Sequence, residues 1–171
     1  MDSTNLGIVV DWGECNMFLN QFKESLKHFK KYVEMLKVLG TFTNNGMHRI
    51  GLAYWENGYK KEAEYYFDKQ LEYCKNDLEL KRPNGQQLYP YYDMAGIYAF
   101  RGDKEKAYKY LKLFNQRQRM PLGIVTLMKN DPLFNSIRSE PDFQQIAKDV
   151  EAKYQAEHER VRKWLEEQGN L

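Results

Sequence analysis

MHRIGLAYWENGYKKEAEYYF, residues 47–67, contains the pattern that decides the fold. Its apolar and small residues recur at spacings of three and four, which predicts two helices with about 3.6 residues per turn. Asn57 and Gly58 interrupt the pattern, and an Asn-Gly pair is a typical turn at the end of a helix. Gly51 and Ala63 fall on facing sides of the two helices, where a large side chain would hold the backbones apart. The stretch therefore predicts an antiparallel helical hairpin.

The same arrangement recurs later in the chain. Residues 88–119 keep a small residue at both packing positions, Ala95 and Ala107, with a turn around Gly102. The charged segment between the two copies, residues 75–87, contains proline and glycine and predicts a long connection rather than continuous helix. Two copies with the same internal spacing predict a repeat protein.

The N-terminal part of the chain predicts a weaker copy over residues 6–39. Its second helix has an apolar stripe with spacings of three and four. Aligned on a turn at residues 20–21, this copy sets Leu26 in the place of Ala63, 37 residues later, and leaves Gly13 one position away from the packing site. We interpret it as a degenerate first repeat, since the terminal repeats of a solenoid are often atypical.

The signature residues of the central copy are Met47, Ile50, Gly51, Tyr54, Ala63 and Phe67. Residues 45–119 thereby resemble the tetratricopeptide repeat (TPR) family, with Met in place of the first Trp and Ile in place of Leu. The resemblance implies an all-α fold, a right-handed α-α superhelix of three helical hairpins with a helical C-terminal cap. The repeats are expected at about residues 6–39, 45–74 and 88–119, within a TPR array over residues 1–120 and a cap over residues 121–171.

The predicted cap ends in one long amphipathic helix. Asp131-Pro132 predicts a helix start, with Asp as N-cap and Pro at the first helical position, and Pro141 opens the last helix in the same way. The apolar side of this last helix contains Phe143, Ile146, Val150, Tyr154, Val161, Trp164 and Leu165. We expect its first half to cover the last hairpin, and its second half to project or to pack against a second chain.

Residues 130–143, NDPLFNSIRSEPDF, resemble a DPxFxxLRxxPxF segment of TPR proteins. In that family such a segment closes the TPR arrays of large bacterial multidomain regulators, in which a winged-helix DNA-binding domain or a nucleotide-cyclase domain comes first. The resemblance implies that the chain is the C-terminal sensing or docking module of a longer protein. It carries over neither activity, because no DNA-binding or cyclase residues occur in these 171 residues.

Composition excludes several classes of function. The net charge of +2 does not supply the one-sided basic field that nucleic-acid binding needs. No segment approaches the roughly 18 apolar residues of a membrane span, so we expect no membrane association and a cytoplasmic chain. Cys15 and Cys74 have no metal-ligand or disulfide-framework spacing. We therefore expect no metal and no cofactor.

An enzymatic function is not expected either. His28, His48 and His158 occur in no metal-binding pattern, and the glycines are explained by turns and packing rather than by a phosphate loop. Cys15 with His48 is the only conceivable nucleophile pair, and we expect it to have no catalytic role. A chaperone-tail clamp is disfavoured as well, because Asp11 and Cys15 stand where that clamp requires Lys and Asn.

A TPR array presents the first helix of each hairpin on its concave face. Aromatic residues with a few polar groups suit an extended peptide or a helix there, although several of them could instead pack against their neighbours. The candidate peptide-binding residues are Asp11, Phe18, His48, Arg49, Leu52, Trp55, Tyr89, Tyr92 and Asp93. The expected partner is a protein or peptide, or the protein's own upstream domains. The alternative hypothesis is an oligomerisation element in which residues 151–171 pair two chains into a homodimer.

Overall fold

The computed structural model describes residues 5–40, 46–80 and 88–170. These ranges contain helices and no strand, which confirms the all-α prediction. The helices are α1 Leu6–Phe18, α2 Phe22–Val38, α3 Met47–Glu56, α4 Lys60–Glu79, α5 Leu88–Phe100, α6 Lys104–Asn115, α7 Leu122–Asn130, a 3₁₀ helix Pro132–Phe134, and α8 Pro141–Glu167. The central repeat is longer than predicted, because α4 continues to Glu79 instead of ending at residue 74. Most of the predicted connection over residues 75–87 lies outside the described residues.

Packing divides the chain into two compact units, Met1–Asp93 and Met94–Leu171. The boundary falls inside α5, which begins in the first unit and ends in the second. The division that the sequence pattern predicts, between a repeat array ending at residue 120 and a cap, follows repeat boundaries rather than packing and stays a prediction.

The hairpin of α3 and α4 is closed by Gly51. A Cβ atom at this position would lie 2.9 Å from the ring of Phe67 and 3.1 Å from the backbone oxygen of Ala63. Because the second of these atoms belongs to the backbone of α4, it cannot move aside as a side chain can. The predicted role of the small residues at positions 51 and 63 is confirmed.

The hairpin of α1 and α2 is closed in the same way. A Cβ atom at Gly13 would lie 2.6 Å from the ring of Phe29. The hydroxyl of Ser25, a buried small residue on α2, donates to the carbonyl oxygen of Gly13 at 2.8 Å. Gly13 and Phe29 are 16 residues apart, as are Gly51 and Phe67.

The turns between the two helices of each hairpin share one geometry, and this geometry aligns the three repeats. Asn20, Gly58 and Gly102 have left-handed φ angles of 59°, 88° and 80°. In each turn the next residue donates its backbone N–H to a carbonyl oxygen five residues earlier. The offsets between these turns, 38 and 44 residues, also relate Gly13 to Gly51 and Ala95, and Ser25 to Ala63 and Ala107.

This geometry corrects the predicted alignment of the first repeat by one residue. Ser25, and not Leu26, is the equivalent of Ala63. The misalignment arises because asparagine takes the left-handed position that glycine takes in the other turns, and asparagine is one of the few other residues that adopt it. The first repeat is therefore more regular than its sequence indicates.

The first two hairpins pack on each other within the first unit. The side-chain amide of Asn57, at the end of α3, donates to the carbonyl oxygens of Ala53 at 2.8 Å and Phe22 at 2.9 Å. It thereby ties the turn of the second hairpin to the start of α2. The shared core beneath it contains Leu26, Phe29, Val33, Met47, Ile50, Ala53 and Tyr66.

In the second unit, α6 begins directly after the turn at Gly102. The side chain of Asp103 accepts a hydrogen bond from the backbone N–H of Lys106 at 3.1 Å, which is a typical N-cap. The rings of Tyr98 and Tyr110 stack at a centroid distance of 5.6 Å. The predicted turn around Gly102 is confirmed.

The segment between α7 and α8 is short and tightly tied. Asp131 caps the backbone N–H of Leu133 as predicted, but the helix that follows is a 3₁₀ turn of three residues. The ring of Phe134 packs at 5.3 Å from that of Phe143. The guanidinium of Arg138 donates to three carbonyl oxygens around the end of α7, so these orphan acceptors are satisfied.

Burial along α8 stops early. Phe143, Ile146 and Val150 are buried, whereas Val161 is 38% and Trp164 is 54% exposed. Val161 and Trp164 belong to the predicted apolar side, but within this chain only the first half of that side is buried. Their spacing makes them look like core residues, but burial on α8 ends about three turns after its start.

Candidate functional site

The nine predicted groove residues separate into two groups. Asp11 and Tyr89 are exposed, and Phe18 and Trp55 are half-buried. The other five, each at most 6% exposed, are His48, Arg49, Leu52, Tyr92 and Asp93. The sequence does not distinguish these groups, since all nine lie on the first helix of a hairpin. Peptide contact by the accessible group stays a prediction.

The corrected alignment changes how these residues relate to one another. Asp11, Arg49 and Asp93 occupy equivalent positions, two residues before Gly13, Gly51 and Ala95 respectively. The first helices of the three hairpins therefore have charged residues of alternating sign at the equivalent position. The charged side chain on α1 is exposed, whereas those on α3 and α5 are buried.

Gln70, a residue that sequence reasoning missed, organises the buried polar group. Its side chain lies on α4, is fully buried, and donates to Oδ2 of Asp93 at 2.9 Å. Its Oε1 accepts the backbone N–H of Met47, the first residue of α3, at 2.9 Å. One amide thus joins α3, α4 and α5. The available signal was a polar residue within the otherwise apolar stripe Phe67, Leu71 and Cys74.

His48 lies beside this amide in an uncharged state. Its Nε2 is 3.5 Å from Oδ1 of Asp93. Burial lowers the pKa of His48 well below its usual value, the positive charge of Arg49 lowers it further, and the amide of Gln70 partly offsets both effects. The imidazole is therefore neutral at pH 7, and its contact with Asp93 is not an ion pair at that pH.

The two cysteines differ in reactivity. Cys74 is buried, its Sγ accepts a hydrogen bond from Gln70 at 3.4 Å, and burial together with the charge of Asp93 raises the pKa of its thiol. It is an inert core thiol at neutral pH. Cys15 is exposed, whereas His48 is buried. The structure therefore gives no support to a nucleophile pair of Cys15 and His48.

Arg49 links the two hairpins of the first unit. Its guanidinium carbon lies 5.2 Å from the ring centroid of Phe18, at the end of α1. A buried guanidinium keeps its charge, so stacking on an aromatic face is a favourable environment for it. The half-buried ring of Phe18 thus has one side on Arg49 while part of it remains accessible.

Trp55 is the accessible aromatic residue of α3. The ammonium of Lys60 lies 3.6 Å from its ring centroid and also donates to its backbone carbonyl oxygen at 3.2 Å. The indole is therefore held in place without being covered completely. On α1, Asp11, Cys15 and Phe18 follow one another at spacings of four and three and all reach solvent. These side chains offer two apolar rings with a carboxylate and an ammonium nearby in the sequence.

Within the described part of the chain, no group of three or more His, Cys, Asp or Glu side chains is arranged to hold a metal ion. None of the described helices combines the length and apolar character needed to cross a bilayer. Comparison of the chain with protein-family models, curated proteins and solved structures finds no match.

Proposed function

We propose that the chain is a non-catalytic TPR module that binds a protein or peptide through the accessible residues of α1 and α3. The observation that carries this proposal is the repeated hairpin geometry. Three left-handed turns at Asn20, Gly58 and Gly102 share one hydrogen-bond pattern, and small residues stand at equivalent packing positions on both sides of each turn. Stacked hairpins of this kind build extended surfaces that suit peptides.

The accessible chemistry supports a peptide rather than a small molecule. Phe18 and Trp55 are large rings held by Arg49 and Lys60 respectively, so little conformational freedom is lost when they bury against a partner. Asp11 adds an exposed carboxylate on α1. An extended peptide or helix with an apolar side chain and a basic group fits this combination.

We also propose, from the resemblance of residues 130–143, that the module serves as a sensing or docking segment of a larger bacterial regulator. An immunoblot of the source cells with an antibody against this chain tests this proposal. A band much larger than 20.5 kDa supports it, and a band at 20.5 kDa refutes it.

The binding proposal is tested by selecting peptides from a displayed library and measuring Kd for the best synthetic peptide. Trp55→Ala should weaken binding at least tenfold, which corresponds to about 1.4 kcal/mol. The matched control is Tyr65→Ala, which removes another exposed aromatic ring, on α4 and outside the proposed face, and should leave Kd unchanged. If no peptide is enriched, or if Trp55→Ala binds like the unmodified chain, the proposed face is wrong.

A further inference from the structure

The apolar side of α8 continues beyond the part that is buried. Phe143, Ile146 and Val150 pack into the second unit. From Val150 onwards the same side of the helix is formed by Tyr154, Glu157, Val161 and Trp164, at alternating spacings of four and three. This spacing is the heptad seam along which two helices pack. The seam thus extends about four turns past Val150, the last buried residue of α8, as far as Trp164.

Ion pairs within the helix stabilise this exposed part. Arg160 bonds to Glu157 at 2.7 Å, and Arg162 bonds to Glu159 at 2.8 Å and to Glu166 at 2.7 Å. Pairs at these spacings each stabilise an exposed helix by a few tenths of a kcal/mol. Glu151 pairs with Lys129 at 2.9 Å and Lys153 donates to Oδ1 of Asn115 at 2.9 Å, so the helix is tied to the second unit as far as residue 153. Beyond that point Val161 and Trp164 of the apolar seam remain exposed.

We propose that residues 151–167 of α8 pair, antiparallel, with the same segment of a second copy of this chain. Charge favours a second copy over a strongly acidic or basic partner, because the segment has five glutamates against four lysines and arginines. A segment with nearly equal numbers of positive and negative charges can pair with a second copy of itself, whereas a strongly charged partner would find little net opposite charge on it. This proposal goes beyond peptide binding and does not depend on it.

Charge also selects the orientation. Glu157 lies on the seam, so a parallel pair would bring the two Glu157 carboxylates together. An antiparallel pair centred near residue 159 instead sets Glu157 opposite Val161 and beside Arg160 of the second copy. Glu157 thus faces a basic side chain, rather than a second Glu157, only when the helices run in opposite directions.

The molecular mass of the whole chain in solution tests the pairing. Sedimentation equilibrium up to about 1 mM should show a mass twice the 20.5 kDa of one chain. Val161→Asp combined with Trp164→Asp should restore the single-chain mass. The matched control, Val38→Asp with Leu122→Asp, introduces the same charges at two other exposed apolar residues and should leave the double mass unchanged. Circular dichroism verifies that each variant is folded.

Spin labels test the orientation. A label at Gln168→Cys, in a Cys15→Ser background that removes the exposed native thiol, should give an interchain distance of about 27 Å or more. A parallel pair would give about 10 Å, the spacing of packed helices, and would overturn the antiparallel arrangement. A single-chain mass at every concentration, or a double mass that persists in the Val161→Asp/Trp164→Asp variant, overturns the pairing itself.

Discussion

Replacing Gly51 by alanine tests the close contact between α3 and α4. In an unconstrained helix this change stabilises a protein by up to about 1 kcal/mol, because alanine is the better helix former. At position 51 the new Cβ would lie 3.1 Å from the backbone oxygen of Ala63 and 2.9 Å from the ring of Phe67. The two helices would have to move apart along a packed surface.

The magnitude follows from two opposing contributions. Forcing a methyl group into a well-packed site costs about 1–3 kcal/mol. Because the gain in helix propensity offsets about 1 kcal/mol of this cost, we expect Gly51→Ala to lower the free energy of unfolding by about 1 kcal/mol, and by at most about 2 kcal/mol. The change is measurable as a lower midpoint in urea unfolding.

Gly123 provides the matched control. It lies in α7, and a Cβ atom added there would have no other atom within 4 Å, so Gly123→Ala should leave the urea midpoint unchanged or raise it slightly. If Gly51→Ala is as stable as Gly123→Ala, the two backbones do not approach as closely as 3.1 Å implies, and the hairpin packing is wrong.

Two further predictions concern the buried polar group. His48 has a lowered pKa in the folded state, so below about pH 6.5 the unfolded chain binds more protons. The free energy of unfolding should therefore be highest above that pH and should fall as the pH decreases towards the pKa of His48 in the folded state. In the His48→Gln variant the urea midpoint should depend less on pH. Cys15 should react at once with a thiol reagent and Cys74 only in denaturant, since one is exposed and the other buried. If both cysteines of the folded chain react at once with the reagent, Cys74 is not buried in the core.

The helical hairpins could be predicted because their signals are local. Gly51 and Ala63 mark a close approach, and Gly58 marks a turn, within 13 residues of one another. The sequence pattern misaligns the first hairpin by one residue for a physical reason. Asn20 can take the left-handed conformation and Ser25 can serve as the small packing residue, but neither residue type indicates these roles by itself.

The burial of the candidate site could not be predicted, because it depends on distant partners. His48 looks like a groove residue on α3, yet Gln70 and Asp93 enclose it from two other helices. The end of burial on α8 is a similar case. Trp164 has the spacing of a core residue, and only the extent of the elements that pack on α8 decides that it is exposed.

The turn at Asn57 has a consequence for the chemical ageing of the chain. An Asn-Gly sequence is prone to deamidation, in which the backbone nitrogen of the glycine attacks the side-chain amide carbon and releases ammonia. In the folded chain this amide is engaged with the carbonyl oxygens of Ala53 and Phe22, and the N–H of Gly58 donates to Trp55 at 2.9 Å. Both reacting groups are thus held in other contacts, so the rate of this damage is set by how often the hairpin opens.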